Sequence, residues 1–162
     1  MSSLRERIQQ RARPRAVWPL RIDDPAEARQ ELERAEDEAR IVSIGLAEGA
    51  DREAAQARAE AARAALAACF EPITLEALPP AEFEALAAEY PPGPDDEAWN
   101  KGFPPALFLA CVQSELDREE WMAIFASQLS QGEKIAACNA AIQVNLRSPD
   151  TGLPKDWMQI RS

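Results

Sequence analysis

Residues 26–69 read AEARQELERAEDEARIVSIGLAEGADREAAQARAEAARAALAAC, and two stripes run through them. Ala28, Leu32, Ala35, Ala39, Val42 and Leu46 recur at spacings of four and three, while Glu31, Glu33, Arg34, Glu36, Asp37, Glu38 and Arg40 fill much of the remainder. Asp24, Pro25 and Glu27 precede the stripe as an N-cap, a first-turn proline and a third-position acid. Gly49 interrupts the run, after which Ala55, Ala59, Ala62, Leu66 and Cys69 repeat the spacing. Two narrow-seamed helices joined by a few residues fold back on each other, and alanines on the second seam let the backbones approach closely. The sequence therefore predicts a mainly α fold. An antiparallel helical hairpin over 25–70 is followed by a compact C-terminal bundle of short helices over 71–147, between a basic, partly disordered segment at 1–24 and a tail at 148–162.

Outward from the hairpin, Val17–Ile22 is a short apolar stretch that can be extended, and Ile73–Leu78 reads as a short strand or a linker after the helix-ending Pro72. Pro79 and Pro80 open a helix through Tyr90 with Phe83, Leu86 and Ala87 on one face. Residues 91–101 form a loop of prolines and acids in which Trp99 pins the chain to the core. Three capped helices follow. The first starts at Pro104 and Pro105 and buries Leu107, Phe108, Cys111 and Val112. The second is capped by Asp117 with Glu120 and carries Trp121, Ile124, Phe125 and Leu129. The third is capped by Ser130 with Glu133 and turns Ile135, Cys138, Ile142 and Leu146 inward.

At 162 residues one core is expected, and although 46% of the chain is apolar, much of that is alanine, so the core is thin. Charge is unevenly placed: residues 1–21 hold six arginines against Glu6, +5 formally, and the remaining 12 Lys and Arg against 27 Asp and Glu give −15. A body this acidic disfavours phosphate backbones and anionic membranes and favours basic surfaces. With no apolar run at the start and none of about 20 residues anywhere, a soluble, intracellular chain is expected. Cys69, Cys111 and Cys138 are odd in number and set among apolar residues, and read as small hydrophobes.

The chain has no histidine, which removes Ser-His-Asp and Cys-His nucleophiles and His-ligated metals. Glu119 and Glu120 are adjacent, so on a helix they point about 100° apart, and their place just after Asp117 suits the positive end of a helix dipole better than acid–base work. The six glycines are scattered, with no phosphate-cradling spacing. The expectation is a protein that holds other proteins, with no enzymatic activity, cofactor or small-molecule substrate.

The order Trp18-Pro19-Leu20-Arg21, an Ala/Glu/Arg hairpin, Phe70-Glu71-Pro72-Ile73-Thr74-Leu75 and Leu78-Pro79-Pro80-Ala81-Glu82-Phe83 resembles tail assembly chaperones of long-tailed phages that infect actinobacteria. The proline-rich loop, the Asp117–Trp121 segment, the Ser130–Glu133 turn and Ala141-Ile142-Gln143-Val144-Asn145 extend the likeness over residues 17–146. The resemblance implies a protein of the bacterial host cytoplasm during phage assembly that coats the tape-measure protein, helps recruit the tail-tube protein and leaves before the virion is complete; the seamed hairpin adds the expectation of a homo-oligomer. Helix-in-groove recognition supplies a mechanism, with Phe108, Trp121, Phe125 and Trp157 forming or bordering the groove and the hairpin meeting neighbouring copies. The alternatives are a structural tail or connector subunit retained in the particle, and an adaptor that places its basic start on nucleic acid.

Overall fold

A computed structural model of the chain describes residues 3–45, 49–96, 98–148, 152–153 and 157–160. Helix α1 (Leu4–Gln9) and strand β1 (Arg15–Arg21) precede α2 (Ala26–Ile44) and α3 (Gly49–Ala67). Strand β2 (Phe70–Glu76), α4 (Pro80–Glu89), α5 (Phe103–Cys111), β3 (Val112–Gln113), α6 (Arg118–Ser127), α7 (Gln131–Leu146) and α8 (Trp157–Ile160) follow. The architecture is α+β, with a three-stranded antiparallel sheet in the order β1-β2-β3. This corrects the expectation of a mainly α chain that starts with a helical hairpin and ends in a helical bundle.

The reason lies in the prolines inside both long strands, each one residue off the centre, residues that normally demote a strand. The Ala77 N–H donates to the Pro14 carbonyl at 2.9 Å and the Ile22 N–H to that of Cys69 at 2.8 Å, so both bonds follow one antiparallel register. That register sets Pro19 opposite Pro72 at a non-hydrogen-bonded pair, where a missing N–H costs the ladder nothing. β3 joins only beyond Pro72, pairing Gln113 with Thr74 and Val112 with Leu75. Trp18, Ile73 and Leu75 are buried from one face, and Val17, Pro19 and Pro72 are exposed.

The chain divides into two compact units, residues 1–18 with 74–162 and residues 19–73, and the boundary crosses β1 and β2 themselves. Residues 1–18, expected as a loose start, thus belong to the larger unit and contribute α1 and most of the buried Trp18 strand.

In the smaller unit α2 and α3 pack through Ala35, Ala59 and Ala62, with Leu32 beside them. These are positions of the two alanine seams; Leu46 lies outside the described residues. Arg58 bonds Glu31 at 2.9 Å and also reaches Glu38, and Arg63 bonds Glu36 at 2.9 Å. All are exposed, so solvent and salt screen them and their contribution to stability is small. The helix pair sits between neighbouring, hydrogen-bonded strand ends, as an insertion where a tight turn would otherwise stand.

In the larger unit Phe108 is the hub. Its ring meets Trp18 edge-on at 5.8 Å, Trp121 edge-on at 5.2 Å and Phe125 at 4.9 Å. Phe103 gathers a second aromatic group, with Trp99 at 4.6 Å and Phe83 at 5.6 Å, so Trp99 does pin the proline-rich loop. The capping boxes form at α6, where the Glu120 N–H donates to Asp117, and at α7, where the Glu133 N–H donates to Ser130.

Candidate protein-binding groove

α7 buries a face rotated from the one its spacing suggested: of the four residues expected inward, Cys138 is buried and Ile142 half-buried. Ala137, Cys138, Ala141 and Val144 go inward, while Ile135 and Leu146 are exposed. The helix is apolar on two sides, so a stripe of large residues and a stripe of small ones compete. The small stripe wins because α5, itself Phe103, Ala106, Leu107, Phe108 and Cys111 on its buried side, packs closely against it. Ile135 and Ile142 are left to line an open hollow.

That hollow, about 370 Å³, lies between α5 and α7 and is lined by Pro104, Pro105, Ile135, Cys138 and Ile142, with the polar Gln131 and Asn139 and the cations Lys101 and Lys134 completing it. A second, of about 300 Å³, lies between α5 and α6 and is walled by Tyr90, Leu109, Met122 and Phe125, with Arg118 and again Lys134 at its edge. The two share Pro105 and Lys134, and together they make an apolar groove. Met122 and Ile135, 53% and 50% exposed, offer large side chains to whatever enters. Lys134 holds its ammonium 5.9 Å from the Phe125 ring centre, laying its stem along the groove. Gly102 also lines the wall: a Cβ there would stand 2.9 Å from the Tyr90 ring, so the close approach of loop and ring depends on its absence.

Of the residues expected at a binding surface, Phe125 lines this groove. Phe108 and Trp121 have no exposed surface; they hold the α5 and α6 walls in place from behind, the indole N–H of Trp121 donating to the Ser114 hydroxyl at 2.9 Å. Trp157 opens α8, and its side chain lies outside the described ones. The sequence reading missed Met122, Lys101, Arg118 and Lys134. The signal was present: residues 77–146 contain no other Lys or Arg.

Two polar arrangements hold the groove's frame. Asn145 on α7 accepts from the Leu78 N–H at 2.8 Å and donates to the Ala141 carbonyl at 2.8 Å and the Cys111 sulfur at 3.2 Å. Glu76 at the end of β2 takes Arg13 at 2.5 Å and Arg15 at 2.7 Å. The Arg15 hydrogen bond, aided by both guanidinium charges, holds its carboxyl below the ordinary glutamate range.

Burial pushes the Cys111 and Cys138 thiols up, so at neutral pH both remain protonated and poorly nucleophilic. Among the described residues no group of three or more Cys, Asp or Glu could hold a metal ion, and no helix is long and apolar enough to cross a membrane. The groove's chemistry is apolar contact inside a cationic edge. Searches of protein families, of characterised proteins and of solved structures find no match to this chain.

Proposed function

We propose that the chain is a non-catalytic assembly factor that holds an apolar segment of a client protein in the α5–α6–α7 groove, as a phage tail assembly chaperone holds its tape-measure protein. The observation that carries this reading is the groove itself: of the larger unit's exposed large side chains, which also include Leu4, Ile8, Val17, Leu146, Leu153 and Met158, Met122 and Ile135 are the ones that line adjoining apolar hollows. The order of segments from Trp18 to Asn145, which resembles that chaperone family, supplies the client: the tape-measure protein, met in the host cytoplasm with the tail-tube protein recruited afterwards. The helix pair of α2 and α3, with Ile41 and Ile44 exposed, is the surface offered to neighbouring copies.

The test is co-expression with a tape-measure protein of an actinobacterial long-tailed phage. The reading predicts that the client moves from the insoluble to the soluble fraction in complex with this chain, and that mass spectrometry finds the chain missing from finished particles. A client that stays insoluble would overturn it, and stoichiometric presence in purified particles would assign the chain to the tail or connector instead.

A further inference from the structure

Residues 77–146 carry eleven Asp and Glu but only three cations, Lys101, Arg118 and Lys134. All three stand on the edge of the groove, although they come from three separate places: the end of the proline-rich loop, the start of α6 and the first turns of α7. The fold gains little from two of them. Arg118 is the first residue of α6 and Lys134 lies four residues past the Ser130 cap, near the positive ends of their helix dipoles, where a cation is disfavoured. Among the described residues none of the three has an ion-pair partner, in contrast to Arg13, Arg15, Arg34, Arg40, Arg58 and Arg63, which do. Within this acidic stretch the three positive charges thus converge on the groove, whereas the unit's other described cations, Arg5 to Arg15 and Arg147, lie outside its lining.

We propose that the groove selects its occupant by charge: it takes an amphipathic helix of a partner protein whose apolar stripe is flanked by Asp and Glu. Two neighbouring hollows with a shared wall suit two large side chains one helical turn apart on a single face. Carboxylates beside that stripe then meet Arg118 on one side, Lys101 on the other and Lys134 between the hollows, while the acidic remainder of the unit repels any helix whose flanks are misplaced. This rests on the groove being a protein-binding site and adds the partner's chemistry, which basic-surface attraction by the whole acidic chain would have put the other way round.

The test uses the full chain and two synthetic helices of about 20 residues with one apolar stripe, flanked by Glu in one and by Lys in its twin. Fluorescence anisotropy should show the Glu helix bound at least about tenfold more tightly, with the preference fading as salt is raised from about 0.05 to 0.5 M. The triple variant Lys101→Glu, Arg118→Glu, Lys134→Glu, checked for native circular dichroism, should reverse the preference. Because Arg118→Glu and Lys134→Glu relieve dipole clashes, loss of the fold is not expected, and Lys134→Gln alone gives a milder version that should shrink the preference.

Equal binding of the twins, or a preference unchanged in the triple variant, overturns the proposal. So does binding to anionic phospholipid vesicles but to neither peptide, or sedimentation as an oligomer that the triple variant dissolves, which would place a second copy in the groove. If the triple variant still solubilises the tape-measure client, the chaperone reading stands without charge selection. If the Glu helix binds as expected but the client stays insoluble, charge selection stands and the chaperone reading falls.

Discussion

Asn145 shows how much one residue settles. Its side chain satisfies the Leu78 N–H just past β2 while bonding back to α7 and to Cys111 on α5, so three elements close around one amide. Asn145→Ala should lower stability by about 1–3 kcal/mol, the penalty for stranding a partly buried N–H, read as a shift in urea midpoint; an unchanged midpoint would mean water replaces the amide. Glu76 makes a different prediction. Its folded pKa lies below the ordinary value of 4.5, so its contribution is fully present above that value and is lost as pH falls through the depressed one. Glu76→Gln should therefore cost stability at neutral pH and flatten the difference from the parent below pH 4.5, which thermal melts at several pH values would show. Neither residue announces itself in the sequence, because the partners that matter, Leu78 and Cys111 for Asn145 and Arg13 and Arg15 for Glu76, are far away along the chain.

At the scale of elements, what the sequence makes legible is what is local. The boxes at Asp117 and Ser130, the seams through Ala35, Ala59 and Ala62, and the Trp99 pin each depend on residues within a turn or on a strict period, and each is found. β1 and β2 are only half legible: Val17–Ile22 reads as extended and Ile73–Leu78 as a strand or a linker, but Pro19 and Pro72 interrupt the strand signal and their pairing, 53 positions apart, leaves no local trace. β3 is two residues long and has no signal of its own. The face of α7 is ambiguous since two apolar stripes share the helix, and only the neighbouring α5 decides between them. The insertion of α2 and α3 between paired strand ends makes a prediction at this scale. Replacing Asp23–Ala68 with Asn-Gly, a pair suited to a two-residue hairpin between Ile22 and Cys69, should leave the larger unit folded and its groove active while removing self-association. A protein that fails to fold, or that still oligomerises, would show that the helix pair is not a separable module.

For the whole molecule the distribution of charge says more than its total. A net −10 points to basic partners, whereas the placement of Lys101, Arg118 and Lys134 points to an acidic helix at one groove. The helices themselves explain why the candidate site was only partly readable: the sequence ranks Phe108 and Trp121 by size, and size is what draws them into the core, leaving Met122 and Ile135 outside. The central claim is that a client lies across those exposed side chains, and it is tested most directly by comparing two double variants in the co-expression assay. Met122→Asp with Ile135→Asp should leave the client insoluble, and Ile41→Asp with Ile44→Asp on α2 should keep it soluble; the opposite pattern, or solubility in both, would contradict the account.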